Sequence, residues 1–281
     1  MIRSSPPFAT ARSRCVTDSS FLRMSEFRFK QFSVRNTDSA LKVGTDAVLL
    51  GSLMTVHPGE RRLLDIGTGT GVVALMAAQR LAGSAIDATA AQRLAGSTID
   101  ASAEDGVESR IIGIEIDGPS AEEARLNFEG SPWAGMLEAR HCSLQDFRSP
   151  GEFDLIFSNP PYFDESLRNP DARESRARHT ESLSYREVLA FAGEKLAPGG
   201  LVAMILPAES ETAVRRCAAG FDLNLSRIVR IRTTQRKPPR RVVVEFSRLR
   251  GQIREEELTM QNQDGFTEEY RRIAGAFLLY L

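Results

Sequence analysis

Residues 63–67, LLDIG, run straight into TGTG and then into VVALMAAQRLAG, so an apolar stretch, a glycine-rich turn and a helical pattern follow one another without a spacer. The first reads as a buried strand, the last as a helix over 72–83 closed by Gly83. Between them Gly67, Gly69 and Gly71 let backbone approach a ligand closely. This order constrains the chain more than any other feature. It asks for a parallel sheet with helices on its faces and a ligand at the carboxyl end of the strand, facing a helix amino end. A dinucleotide fingerprint, GxGxxG, would place glycine at position 72, where Val72 stands; the ligand is therefore nucleotide-like, and nicotinamide is demoted.

The rest of the chain repeats the alternation. RIIGIEID at 110–117, MLEARHC at 136–142, FDLIFSNPPY at 153–162, LVAMILP at 201–207, SRIVRIRT at 226–233 and RRVVVEFSR at 240–248 read as strands, with helical patterns at 121–130 and 185–197. Upstream, FRFKQF at 27–32 suggests a small lid strand and AVLLGSLM at 47–54 a helix. One α/β domain over 24–281, with a mostly parallel sheet covered on both faces, is the economical reading. Residues 1–23 are basic and Ser-rich without the apolar core of a secretory signal, and are expected to be a disordered leader. AAQRLAGSAIDAT at 77–89 recurs as AAQRLAGSTIDAS at 90–102. Two copies are too few for a solenoid, so 84–108 reads as an insertion made by duplication, accommodated as extended helix and loop.

Composition removes several classes. With 36 basic and 37 acidic residues, no whole-chain field favours a polyanion, and any such site must be a local patch. Cys15, Cys142 and Cys217 stand far apart without metal-ligand spacing, which supports neither a zinc site nor a disulfide framework and fits a cytoplasmic protein. No stretch approaches the length of a membrane span.

Three motifs in order, D-x-G-x-G-x-G at 65–71, an acidic residue closing the next strand at Glu115, and NPPY at 159–162, resemble the class I S-adenosylmethionine-dependent methyltransferases. The resemblance implies a Rossmann-like, seven-stranded, mostly parallel sheet with helices on both faces and a small N-terminal lid or hairpin. It also implies that Asp65, Gly67, Gly69 and Gly71 hold the glycine loop and the methionine portion of S-adenosylmethionine. Glu115 would accept hydrogen bonds from the ribose diol, for which two lone-pair-rich oxygens suit. Relatives carry an acidic residue at the adenine, where this chain has Ser143 and Leu144; Asp146 either serves there or caps the following turn.

NPPY carries the chemistry. By the same resemblance, the Asn159 side-chain oxygen and the Pro160 carbonyl accept the two hydrogens of a planar amine, while Tyr162 stacks on its ring; neither a metal nor a general base is needed. Three longer segments resemble the bacterial tRNA adenine-37 N6-methyltransferases that modify a valine tRNA: 27–51, 158–184 and 237–273. Two local basic clusters fit an RNA partner. Arg227, Arg230, Arg232, Arg236, Lys237, Arg240 and Arg241 fall within fifteen residues free of Asp and Glu, and Arg168, Arg173, Arg176 and Arg178 follow NPPY. NPPY is shared with glutamine N5-methyltransferases of release factors and with DNA adenine methyltransferases, and a non-catalytic nucleotide- or RNA-binding module is the reading from another class.

Overall fold

The computed structural model describes residues 26–39, 42–94, 109–161 and 183–281; the expected leader, Tyr162 and the Arg168–Arg178 cluster lie outside the described residues. The strands are β1 (Glu26–Arg28), β2 (Ser33–Arg35), β3 (Arg62–Ile66), β4 (Arg110–Glu115), β5 (Leu137–His141), β6 (Phe153–Ser158), β7 (Leu196–Pro207), β8 (Asn224–Thr234), β9 (Arg241–Ser247), β10 (Arg254–Asn262) and β11 (Gly265–Phe266). The helices are α1 (Thr45–Leu53), α2 (Val72–Leu94), α3 (Gly118–Glu129), α4 (Tyr185–Lys195), α5 (Glu211–Ala219) and α6 (Glu268–Ala274).

Strands β3 to β11 form one sheet in the order β11-β10-β8-β9-β7-β6-β3-β4-β5, while β1 and β2 pair as a separate hairpin. Strands β3 to β7 run parallel, β9 is antiparallel to both β7 and β8, and β10 is parallel to β8. Leu63, Leu64 and Ile66 of the central strand β3 are all buried, because helices cover both faces. Leu49, Leu75, Met76 and Ala78 of α1 and α2 pack on one face; Val188, Leu189, Ala192 and Val214 of α4 and α5 pack on the other.

The chain passes from β3 outward through β4 to β5, then returns to place β6 on the other side of β3. At such a reversal the two outgoing connections part and leave a crevice at the carboxyl ends of the strands. The glycine turn leaves β3 and the Asn-Pro-Pro turn leaves β6, on either side of that point.

Two elements differ from expectation. Gly83 does not close α2 as a C-cap; the helix continues to Leu94 and takes the whole first copy of the repeat into one helix of about 34 Å, in line with the extended helix expected of the duplication. A single interior glycine costs only about 1 kcal/mol relative to alanine, and the Ala-, Gln-, Arg- and Leu-rich sequence that follows favours helix. The sheet also has nine strands, two more than expected. The charged stretch REEELTMQN forms β10 and buries only Leu258 fully, too little apolar alternation to signal a strand.

Candidate active site

Asp65 pairs in register with Phe157 of β6, and one residue further the Ser158 hydroxyl donates to the Ile66 carbonyl at 2.7 Å. Gly67 and Asn159, 92 residues apart in sequence, therefore leave adjacent strand ends. Gly67, Gly69 and Gly71 take φ of 71°, 55° and 81°, in the left-handed region where side chains are strained. At Gly71 space forbids one as well, because a Cβ there would stand 2.4 Å from the Phe128 ring. The turn is tied to β4 by the Gly67 and Thr68 N–H groups, which donate to the Ile114 carbonyl at 2.9 and 3.0 Å.

Two carboxylates stand at the turn. Asp65 is buried and accepts the Thr68 hydroxyl at 2.7 Å. Burial pushes its pKa up to about 7; the Glu115 charge adds to the rise, and the bonds from Thr68 and the Ala74 N–H oppose it. Glu115, at the end of β4, accepts the Gly69 N–H at 2.9 Å and the Asp117 N–H at 3.0 Å. Beside it Ile116 is 54% exposed, one of the few large apolar side chains among the described residues that face water. Asp146 caps its own turn: it accepts the Ser143 hydroxyl at 2.7 Å, and its N–H donates back to the Ser143 oxygen. Asn159 is half-buried and Pro160 buried.

A second layer escaped sequence reasoning. Buried Glu123 of α3 accepts the N–H groups of Thr37, Asp38 and Ser39 at 2.6, 3.1 and 2.8 Å. One helical turn on, Asn127 accepts the Arg35 N–H at 2.7 Å and donates to the carbonyls of Arg35 and Thr70. These two side chains clamp the segment that leads into α1 against the glycine turn. Their only trace in the sequence is a pair of polar residues four apart on the face of α3 that also carries Ala124 and Phe128.

The expected basic patch at 227–241 divides. Arg227 is buried and bonds Glu245, Glu256 and the Leu53 carbonyl. Arg230 grips Glu211 with two nitrogens and reaches Glu255. Arg232 pairs with Glu257 at 2.6 Å and Arg241 with Asp46 at 2.9 Å. These four hold elements together and do not form the surface that the stretch suggested. Their acidic partners come from α1, α5, β9 and β10, outside the acid-free window. Arg236, Lys237 and Arg240, in the β8–β9 turn, are exposed. Because β8 runs parallel to β6 and β7, that turn lies on the same edge of the sheet as the glycine and Asn-Pro-Pro turns. Among the described residues no group of three His, Cys, Asp or Glu is placed to hold a metal ion, and no helix is long and apolar enough to cross a membrane.

A glycine turn after the first central strand, an acidic end to its neighbour and an Asn-Pro-Pro turn across the switch point define a class I methyltransferase, a fold and family that imply S-adenosylmethionine as cofactor. The family model for the RMKL-like methyltransferase domain matches residues 47–237, more than half of the chain. The chain belongs to the tRNA1(Val) (adenine(37)-N6)-methyltransferase family. It is 36% identical over 256 residues to the protein of that name from Bacteroides thetaiotaomicron, covering 91% of this chain and 98% of that one. It is 34% identical over 257 residues to the one from Flavobacterium johnsoniae, covering 90% and 99%. Among solved structures, one described as a predicted O-methyltransferase from Agrobacterium tumefaciens superposes with a TM-score of 0.56 at 18% identity, covering 83% of this chain and 96% of that chain, a likeness of fold alone.

Proposed function

We propose that this protein transfers a methyl group from S-adenosylmethionine to the exocyclic N6 amine of an adenine in tRNA, adenine 37 of a valine tRNA being the position its relatives' names specify. The observation that carries this reading is the meeting of the glycine turn and the Asn-Pro-Pro turn at hydrogen-bonded strand ends. An electrophile held by one turn lies within reach of an amine held by the other.

The residues suit the cofactor. The Glu115 carboxylate matches a vicinal diol, exposed Ile116 offers an apolar flank for a base, and Asp65 provides a buried anion for an ammonium group. Bound S-adenosylmethionine supplies a methyl group on a sulfonium, whose sulfur takes up the bonding pair on transfer. The adenine amine is a poor nucleophile because its lone pair is delocalised into the ring. Two acceptors on its hydrogens, the Asn159 side-chain oxygen and the Pro160 carbonyl, draw the pair back onto nitrogen and stabilise the positive charge that develops there. Proline at 160 and 161 removes two N–H donors and stiffens the turn that aims these acceptors. The motif supplies Tyr162 to stack on the ring. One amine proton is lost to water once the N–C bond has formed. Asp146 is assigned to its turn, with the adenine contact passing to Ile116.

Arg236, Lys237 and Arg240 are the cations we assign to the RNA backbone, since their turn shares the reactive edge. An anticodon-loop adenine is already unpaired, so turning it into the site costs little. Such a substrate places the enzyme in the cytoplasm. The test is incubation with methyl-tritiated S-adenosylmethionine and tRNA from cells lacking this gene, followed by nucleoside analysis. N6-methyladenosine at position 37 is the expected product; label in a release factor and none in RNA would overturn the assignment.

A further inference from the structure

On the reactive edge, but three strands away from β6, a cleft of about 330 Å³ opens between the start of α1 and the ends of β8 and β10. Buried Leu49 and Ile231 and half-buried Met260 lie beneath it. Thr45 and Thr233 add hydroxyl groups, and exposed Arg240 stands at its mouth. One wall is already electrically satisfied, because Arg241 of β9 pairs with Asp46 of α1 at 2.9 Å. The ion pair ties the start of α1 to β9, the strand beside β8. The methyl-transfer chemistry uses none of these residues.

The chemistry of the lining selects an occupant. A mixed lining of apolar side chains and hydroxyls suits a base, which has an apolar face and polar edges, and a cation at the mouth suits a phosphate. Arg236 and Lys237 continue the positive charge along the same turn, matching a polyanionic strand in preference to an isolated small molecule. Three strand spacings set the cleft at least about 14 Å across the sheet from the Asn-Pro-Pro turn, a span that nucleotides adjoining an adenine seated there can bridge. We infer that the cleft receives a nucleotide next to the methylated adenine, its base over Leu49, Ile231 and Met260 and its phosphate at Arg240. The inference rests on the RNA reading above and makes it finer. The active turn selects a planar amine, and the cleft selects the strand that presents it.

The test uses the full-length protein, S-adenosylmethionine and an anticodon stem-loop RNA, intact or made abasic at one of the two nucleotides on either side of the target adenine. Wild-type protein is expected to lose about tenfold in kcat/KM on one of these abasic RNAs. Thr233→Trp, which fills the cleft, is expected to lose about tenfold on the intact RNA and nothing further on that same abasic RNA, with cofactor affinity unchanged. Non-additivity of this kind identifies a shared contact, which a merely structural effect of the substitution does not produce. Should Thr233→Trp fold poorly, Arg240→Glu, a change at an exposed site, serves in its place: it is expected to raise KM for every RNA with kcat unchanged. Equal wild-type rates on all the abasic RNAs or losses that multiply in Thr233→Trp would overturn the cleft assignment alone; an unchanged KM in Arg240→Glu would overturn it together with the backbone contact assigned to Arg240, leaving the methyl-transfer reading in place. Failure of the wild-type protein to methylate the intact RNA would overturn the underlying reading and this inference with it.

Discussion

The glycine turn and the β8–β9 region occupy the same edge of one sheet, yet they relate to their sequences in opposite ways. At the glycine turn the residues that set the backbone conformation are local, although β4 and α3 tie the turn down from outside. Three left-handed glycines, Asp65 two residues upstream and the Thr68 hydroxyl that bonds it all fall within seven residues. At 227–241 the sequence shows seven cations and no acids, but four of the cations are matched by carboxylates from distant elements. The difference teaches that a motif whose conformation is set by its own residues shows that conformation in the sequence, whereas charge density along a chain says little about charge on a surface. The pairing of strands decides which cations meet water.

That contrast can be broken most sharply at Arg227. If it is structural, Arg227→Ala leaves Glu245 buried without its paired cation and lowers stability by about 3–5 kcal/mol, read by thermal or denaturant unfolding, whereas Arg240→Ala stays within about 0.5 kcal/mol. A smaller effect is expected at the clamp. Glu123→Ala leaves three N–H groups without their acceptor, costs about 1–3 kcal/mol and raises KM for the cofactor, because the lid segment loosens from the glycine turn; unfolding and steady-state kinetics check both. Next comes pH. With its pKa raised to about 7, Asp65 carries a proton below that value, and an ammonium partner favours the ionised form. Binding therefore releases a proton and strengthens as pH rises, so calorimetric affinity for S-adenosylmethionine at pH 6 falls about tenfold below that at pH 8. The smallest effect distinguishes the exposed cations. Replacing Arg236, Lys237 and Arg240 together by Ala reduces the slope of log affinity for single-stranded RNA against log salt by about 2, since each phosphate contact contributes about 0.7.

Most of the α/β order was legible because buried parallel strands advertise themselves as apolar runs, and RIIGIE, FDLIF and LVAMILP all became strands. Strand β10 was not, since its residues are ordered by pairing with β8 and by cross-strand ion pairs, such as Glu256 with Arg227, and not by an apolar face of its own. The end of α2 was misplaced for a related reason: Gly83 carries a C-cap signal that the helix-favouring repeat behind it overrides. In the site, Asp65 and Glu115 stand at the ends of adjacent apolar strands and the glycines set their own turn, all of which leave a mark in the sequence. Glu123 and Asn127 act only through the register between α3 and the lid, which no spacing within either segment reveals. Ser143 and Asp146 bond each other three residues apart, so their turn was within reach of local reasoning.

On the proposed mechanism the Asn-Pro-Pro turn activates an amine presented to a cofactor held by the neighbouring glycine turn. The most direct measurement is single-turnover methylation of tRNA by Asn159→Ala, with S-adenosylmethionine affinity measured on the same preparation. The account predicts a rate about 100- to 1,000-fold below wild type with cofactor affinity within about twofold, because the variant loses an acceptor on the amine and nothing in the cofactor pocket. A rate within tenfold of wild type, or a loss of cofactor binding that accounts for the whole defect, would contradict it.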